Sequence, residues 1–268
     1  MPLDPQFAIN VIFPAASAAY LIQTVPAPML PAGYTLVKAI DADMQQAAPA
    51  IALAIAQNQT AHLKIVHAML AESNIFGLVA WNVAEKTALV AFRGTQTVQE
   101  WIADVDAIAV PYLAVPGAGL VHMGFQLVYE HVRKNTAQIL VNGCAGAQRI
   151  LVTGHSLGGA LAVLAAYDIA KNSPLGKTPE VYTLAGPRTG APDFAGKFNA
   201  QIKTCERVVN FMDMVPQVPL PPVYEHVGEA ININGGFRPL DPAYAHALTT
   251  YLAGLHKLQP VGQAAVKP

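Results

Sequence analysis

The residues with the clearest chemical potential are a serine and the two glycines around it, in the pattern Gly154-x-Ser156-x-Gly158. An apolar run ending at Val152 precedes this pattern, and an alanine-rich, helix-like stretch follows it. A sharp turn from strand to helix lifts a serine hydroxyl above the edge of a sheet, and glycines let the two elements approach closely. The pattern therefore predicts Ser156 as a nucleophile; the alternative is an idle serine in a glycine-rich loop.

A serine hydroxyl needs a histidine to accept its proton and a carboxylate to orient that histidine. In hydrolases with this turn, the acid and then the histidine follow the serine along the chain. Asp213 is the predicted acid, because it directly follows the apolar, strand-like segment 208–212 and ligand-facing groups lie at the carboxyl ends of parallel strands. Asp193 is the reserve candidate, and an ordinary turn-forming role is the alternative for Asp213.

Three histidines follow the serine, and His246 is the predicted base. It directly precedes an apolar, helix-like stretch, so it would project from a loop at the start of a helix. His226 lies in a strand-like segment and is interpreted as structural, and His256 lies near the charged C-terminal tail. His155, beside the nucleophile, is predicted to pack against the pocket or to line it, since its backbone position prevents it from acting as the base.

Stabilisation of the transition state requires N–H groups that point at the developing oxyanion. Leu157, directly after the nucleophile, is predicted to supply one of them. The other is predicted at Thr95, because an apolar strand ends nearby and Gly94 allows an unusual backbone conformation. An ordinary Gly-Thr turn is the alternative for this second position.

A group of apolar residues at helical spacing comes just after Thr95. Its members are Val98, Trp101, Ile102 and Val105. The spacing predicts a short amphipathic helix beside the proposed oxyanion site. This helix is interpreted as a lid that covers the site in water and contacts lipid when open. The alternative is a core helix whose apolar face packs into the interior.

The composition sets the outer bounds on function. With 53% hydrophobic and 12% charged residues, the chain of 268 residues is predicted to be globular, and its net charge of -1 gives no sign of nucleic-acid binding. Two cysteines exclude a disulfide scaffold and a cysteine-rich metal site, and no metal or cofactor is implied. No apolar run approaches the ~18 residues of a membrane span. The first basic residue is Lys38, so the basic start of a secretory signal is not recognised, and the compartment stays open.

The elements that would position these residues alternate between strands and helices. Helices are predicted over Ala15 to Ile22, Asp41 to Gln57 with a bend at Pro49, His122 to Leu140, 157–171 and about Ala247 to Leu258. Strands are predicted over Tyr34 to Lys38, Ile75 to Trp81, Thr87 to Phe92, 149–153, Val181 to Leu184 and Val208 to Met212. This alternation predicts a single α/β domain over 1–268, with a mostly parallel central sheet, helices on both faces and a short helical lid.

Several motifs, in order along the chain, resemble those of the class 3, fungal-type triacylglycerol lipases, an α/β-hydrolase family. They are Phe92-Arg93-Gly94-Thr95, Trp101-Ile102-Ala103-Asp104, Val121-His122-x-Gly124-Phe125, Thr153-Gly154-His155-Ser156-Leu157-Gly158-Gly159-Ala160, Thr183-x-Ala185-Gly186-Pro187-Arg188, Asp213-x-Val215-Pro216 and His246-x-Leu248-x-x-Tyr251. The resemblance spans about 75–252, and the N-terminal part, 1–74, matches only weakly.

The resemblance implies a lipase that acts on acylglycerols. It implies Ser156, Asp213 and His246 as the triad, Thr95 and Leu157 as oxyanion donors, and transient contact with a lipid–water interface. Two cysteines cannot form the several disulfides of secreted fungal members, which indicates a bacterial or intracellular relative. The alternatives are a soluble esterase without a working lid, similar to feruloyl esterases, and a non-catalytic binding protein on a hydrolase fold.

Overall fold

The computed structural model describes residues 3–95, 108–236, 238 and 241–258. Its strands are β1 (Thr35–Asp41), β2 (Ile75–Asn82), β3 (Thr87–Phe92), β4 (Ala109–Pro111), β5 (Leu120–His122), β6 (Arg149–His155), β7 (Glu180–Leu184), β8 (Cys205–Asn210) and β9 (Glu229–Ile233). Its α-helices are α1 (Pro5–Phe7), α2 (Phe13–Leu21), α3 (Ala48–Ala56), α4 (Thr60–Glu72), α5 (Met123–Gly143), α6 (Leu157–Asn172), α7 (Pro192–Gln201), α8 (Pro242–His246) and α9 (Leu248–Leu258). A π-helical segment (Ala8–Ile12) joins α1 to α2, and a short 3₁₀ helix (Val215–Gln217) follows β8. The predicted lid residues Val98, Trp101, Ile102 and Val105 lie outside the described residues.

Seven strands form the central sheet in the order β1-β2-β3-β6-β7-β8-β9. The two pairings among β1, β2 and β3 are antiparallel, and the four that link β3, β6, β7, β8 and β9 are parallel. β4 and β5 form a separate antiparallel pair. A mostly parallel sheet was predicted, and the structure confirms it.

The central strands bury both of their faces, because helices cover the sheet on each side. Alternate residues of β3 show this: Ala88, Val90 and Phe92 belong to one core cluster, and Leu89 and Ala91 belong to the other. The first cluster contains buried residues of α3, α4, α5, α6 and α7, and the second contains those of α2 and α9. Such two-sided burial explains why these strands are continuous apolar runs rather than alternating ones.

Several predicted boundaries were wrong. β1 extends to Asp41, and the helix predicted from that residue begins only at Ala48. Pro49 lies in the first turn of α3, where a proline is tolerated because its missing N–H would have no intrahelical partner, so it does not bend the helix. β8 ends at Asn210, and the N–H of Asp213 donates to the Asn210 carbonyl oxygen at 3.0 Å, so a turn separates Asp213 from the strand.

The C-terminal region also differs from the prediction. His246 is the last residue of the short helix α8 rather than a loop residue, and α9 begins two residues later. The Asp241 carboxylate starts α8 by accepting from the N–H of Tyr244 at 3.1 Å, a pattern typical of a helix N-cap. Both cysteines are buried as free thiols. Within the described ranges, none of the helices has the length and apolar character needed to cross a membrane.

Candidate active site

Ser156 lies at the turn between β6 and α6 and has an unusual backbone conformation. Its φ of 60° and ψ of -129° fall in a region that residues with a Cβ atom rarely adopt, so the turn is strained. Its N–H donates to the Leu184 carbonyl oxygen of β7 at 3.0 Å, and its own carbonyl oxygen accepts from the N–H of Gly159 at 2.8 Å. These backbone bonds hold the serine between two parallel strands and the start of a helix.

The glycines of the pattern are needed because strand and helix touch at this turn. A Cβ atom on Gly154 would collide with the carbonyl oxygen of Gly158. One on Gly158 would collide with the carbonyl oxygen of Phe92, in the neighbouring strand β3. Both contacts are with backbone, which cannot move aside as a flexible side chain can. The local sequence thus allows a close approach that larger residues would prevent.

Asp213 and His246 are brought together although 33 residues separate them. Asp213 is only 2% exposed, and its Oδ2 accepts from Nδ1–H of His246 at 2.9 Å. The same oxygen accepts from the hydroxyl of Tyr251 at 2.6 Å, and Oδ1 accepts from the N–H of Val215 at 3.0 Å. Three donors therefore compensate the buried carboxylate and fix its orientation. Burial, followed by the charge of Asp213, raises the pKa of Tyr251 well above its usual value, so its hydroxyl stays protonated.

Two buried atoms of the proposed triad have no hydrogen-bond partner among the described residues. They are Oγ of Ser156 and Nε2 of His246. A buried polar atom without a partner is costly, and such atoms are often kept for a functional reason. A neutral histidine that donates through Nδ1 presents a lone pair at Nε2, which is the form that a base requires.

The loop after β3 packs directly against Ser156, the predicted nucleophile. In the sheet register, Phe92 of β3 lies opposite Gly154 of β6. A Cβ atom built on Gly94 would lie 3.0 Å from the Cβ of Ser156. Thr95 is buried at the end of this loop, and Leu157 is the first residue of α6, where N–H groups have no partner within the helix. The structure therefore places Leu157 at the turn that carries the serine and Thr95 directly after Gly94, which packs against that turn.

The other candidates make different contacts. Oδ1 of Asp193 accepts from the N–H groups of Phe194 and Leu120 at 2.8 and 3.3 Å, at the start of α7. His226 contacts the carbonyl oxygen of Pro216 through Nε2 at 2.7 Å, and burial lowers its pKa to about 3.

The remaining two histidines considered in the sequence analysis, His256 and His155, also have distinct surroundings. His256 is exposed on α9. His155 is 5% exposed, in agreement with the predicted packing role, and its ring lies 4.6 Å from that of His246 between centroids.

Sequence reasoning missed two residues around the predicted triad. Tyr20, from the N-terminal region, hydrogen-bonds His155 across 135 positions in sequence, and nothing in the local pattern of residues 1–33 indicates it. Asn210 donates from Nδ2 to the Ala245 carbonyl oxygen at 2.8 Å and so fixes the residue before His246. The apolar run of β8 indicated the strand but not the role of the polar residue at its end.

Comparisons with known proteins agree with this geometry. A family model described as "Lipase (class 3)" matches residues 89–222. A lipase of Rhizomucor miehei is 35% identical over 159 residues, which cover 57% of this chain and 43% of that protein. The secreted mono- and diacylglycerol lipase 1 of Fusarium solani is 34% identical over 179 residues, which cover 65% and 51%. The chain thus spans about half the length of the curated relatives it matches.

A solved triacylglycerol lipase, described as having a serine protease triad at its catalytic centre, matches the fold with a TM-score of 0.64. The match covers 85% of this chain and 79% of that one at 24% identity, so it supports the architecture alone. It agrees with the mostly parallel sheet and the helices on both of its faces, and the α/β-hydrolase fold is therefore confirmed. Together with the match over residues 89–222, these findings show that the chain belongs to the class 3 lipase family.

Proposed function

We propose that this protein is a serine hydrolase that cleaves carboxylic esters of the acylglycerol class. The observation that carries the proposal is the buried hydrogen bond between Asp213 and His246, whose Nε2 is left without a partner among the described residues. The His246 ring lies 4.6 Å, between centroids, from that of His155, the neighbour of the strained Ser156, whose Oγ also has no partner among the described residues. The two curated relatives of this chain described above are named as lipases, one of them for mono- and diacylglycerols. No metal or cofactor takes part in the proposed reaction.

In the proposed reaction, Nε2 of His246 removes the proton from Oγ of Ser156 as that oxygen bonds to the ester carbonyl carbon. The carbonyl oxygen becomes an oxyanion, which the N–H groups of Leu157 and Thr95 stabilise. As the bond to the alcohol oxygen breaks, the imidazolium returns the proton to that oxygen and an acyl-enzyme remains. Water, deprotonated by the same histidine, then releases the carboxylic acid. Asp213 holds the histidine in the required tautomer throughout.

A segment with exposed apolar side chains around Asp213 supports contact with a lipid surface. Phe211, Met214, Leu220 and Val223 are 77%, 61%, 68% and 56% exposed, and the only charged residue in the segment 211–223 is the buried Asp213. Exposed apolar side chains without charges among them are typical of surfaces that meet membranes or other apolar partners.

Arg188 holds this segment in place. Its Nη1 donates to the carbonyl oxygens of Gln217 and, at 3.0 Å, Pro219. The apolar side chains are therefore presented on a backbone that is fixed to the loop after β7.

The first test of the proposal is Ser156→Ala. We expect this variant to lose p-nitrophenyl butyrate hydrolysis on the order of 10⁴-fold or more, and to stop reacting with a fluorophosphonate that labels the unaltered protein. Asn199→Ala, on the surface of α7, serves as the control for handling and folding. Retained hydrolysis in Ser156→Ala, or failure of the unaltered protein to take the label, would favour the non-catalytic alternative.

A second test separates a lipase from a soluble esterase. Rates on tributyrin are measured through its solubility limit, where a lipase increases in rate and an esterase saturates. We expect Phe211→Ser combined with Leu220→Ser to weaken the increase but to leave p-nitrophenyl acetate hydrolysis unchanged. Val83→Ser is the matched control, because Val83 is 67% exposed in the turn between β2 and β3, at the opposite end of the sheet. Simple saturation in the unaltered protein would indicate the esterase.

A further inference from the structure

His155 is hydrogen-bonded at both ring nitrogens, and its partners come from opposite ends of the chain. Its Nε2 lies 2.8 Å from the carbonyl oxygen of His246, and its Nδ1 lies 2.9 Å from the hydroxyl of Tyr20. A carbonyl oxygen can only accept, so Nε2 must carry the hydrogen. In a neutral ring Nδ1 then accepts, and Tyr20 is the donor. The two bonds form a directed chain from α2 through His155 to the backbone of the proposed base.

The ring of His155 is suited to this bridging role because it stays neutral. Burial, with a smaller contribution from His246, lowers its pKa to about 3. At neutral pH it therefore keeps one donor and one acceptor nitrogen, and it places no second positive charge beside the imidazolium that forms during the proposed reaction. With centroids only 4.6 Å apart, two charged rings would repel each other strongly.

His246 lies where the backbone needs support from outside its own helix. α8 has five residues, and Ala247 adopts an extended conformation, with φ of -63° and ψ of 140°, before α9 begins. Side chains at the ends of two strands bind consecutive carbonyl groups at this break: Asn210 of β8 donates to Ala245, and His155 of β6 donates to His246. The direction of the His246 side chain therefore depends on these two donors as well as on Asp213.

At its other end, this series of hydrogen bonds reaches the loop that carries Thr95, the predicted second oxyanion donor. The hydroxyl of Tyr20 lies against Gly94, where an added Cβ atom would collide with it, and Gly94 directly precedes Thr95. Burial raises the pKa of this tyrosine above its usual value, more than the Gly94 backbone lowers it, so the hydroxyl remains a donor. Tyr20 thus contacts both the loop of the second oxyanion donor and the residue that holds the base.

We propose that Tyr20 and His155 are positioning residues that fix the backbone of His246 and the loop of Thr95 relative to Ser156. The proposal rests on the function proposed above, since it assumes that His246 is the base. It also assigns a part in catalysis to α2, which lies outside the residues 89–222 that match the family model.

The test compares Tyr20→Phe with Tyr112→Phe. Each change removes one buried hydroxyl from a tyrosine, but that of Tyr112 donates to the Leu164 carbonyl oxygen at 2.8 Å, in the core on the other face of the sheet. For p-nitrophenyl butyrate we expect Tyr20→Phe to lower kcat about 3- to 10-fold, the range that one hydrogen bond supports, with KM unchanged. Tyr112→Phe should lower the melting temperature at least as much and keep kcat. Equal kcat values in the two variants would overturn the proposal.

A double-mutant cycle asks whether Tyr20 acts through His155. His155→Leu should lower kcat more than Tyr20→Phe does, and Tyr20→Phe added to His155→Leu should have a much smaller effect than it has alone, because only the contact of Tyr20 with the loop of Thr95 is then lost. His155→Gln, which keeps an N–H donor for the His246 carbonyl oxygen, should recover part of the rate. Losses that multiply would overturn the proposal, because Tyr20 would then act independently.

Two further measurements keep the result unambiguous. If His155→Leu does not fold, the positioning role is tested by the rate at which diethyl p-nitrophenyl phosphate inactivates Tyr20→Phe and Tyr112→Phe. Slower inactivation of Tyr20→Phe than of Tyr112→Phe supports the role, and equal rates refute it. Ser156→Ala is assayed in parallel. Activity retained there would reject the proposed hydrolase mechanism, whereas an inactive Ser156→Ala with an unaffected Tyr20→Phe would reject only the positioning role.

Discussion

Asp213→Asn is the change for which the structure gives the sharpest expectation. The carboxylate accepts three hydrogen bonds, two at Oδ2 and one at Oδ1. Asparagine has one accepting oxygen and one donating NH₂ group, so either orientation brings a donor against another donor. If the NH₂ group occupies the Oδ2 position, His246 must move its hydrogen from Nδ1 to Nε2, where it can no longer accept a proton from Ser156.

The magnitude follows from this exchange of tautomers. A histidine held in the wrong tautomer reduces kcat by roughly 10⁴-fold in serine hydrolases, and we expect a loss of that order here with little change in KM. The assay is p-nitrophenyl butyrate hydrolysis at neutral pH, with far-UV circular dichroism to show that the variant is folded. A folded Asp213→Asn within threefold of the unaltered kcat would refute the assignment of the acid.

Two further predictions concern the surroundings of the site, and a third concerns a buried carboxyl group on α5. Tyr251→Phe removes one donor to Asp213 but keeps the charge, so we expect unfolding in urea to become easier by about 1.5–3 kcal/mol while kcat changes far less than in Asp213→Asn. Gly158→Ala should yield little folded protein, measured as soluble expression, since its Cβ would collide with the Phe92 carbonyl oxygen, whereas Gly196→Ala, with open space at its Cβ position, should be tolerated. Burial raises the pKa of Glu130 to about 7, so the folded state binds a proton that the unfolded state releases above pH ~4.5, and stability falls as pH rises through 7. Glu130→Gln should therefore be more stable than the unaltered protein at pH 8 but not at pH 4, as judged from urea midpoints; an equal difference at both pH values would contradict this.

The parts of the molecule that the sequence predicted well are those specified by neighbouring residues. Around Ser156, a seven-residue strand, the turn at the serine and a 16-residue helix follow one another directly, and glycines mark the turn. The hairpin of β2 and β3 also follows from adjacent apolar runs. The pairing of Asp213 with His246 was predicted from chain order and from the position of each residue relative to an apolar segment, because parallel strands end at one edge of the sheet.

The parts that escaped prediction depend on contacts between distant segments. Helices α4 and α7 were not predicted, and the first half of the helix predicted from Asp41 is in fact strand and turn. Local propensity did not distinguish these alternatives, because packing against the sheet decides them. Tyr20 shows the same limit at the site: its partner is 135 residues away, and its own neighbours describe only an apolar helix.

The proposed nucleophile and the proposed base are held by different kinds of interaction, and this difference predicts how substitutions at the two residues differ in effect. Ser156 is fixed by backbone hydrogen bonds and by glycines that leave no space, so changes to those glycines should affect folding before they affect rate. His246 ends a five-residue helix and is fixed by the side chains of Asp213, Asn210 and His155, acting on its ring or on adjacent carbonyl groups. When one such side chain is lost, the remaining contacts maintain the fold, but the imidazole of His246 can rotate. Since kcat depends steeply on the direction of the imidazole, substitutions around the proposed base should have a larger effect on kcat than on the free energy of unfolding.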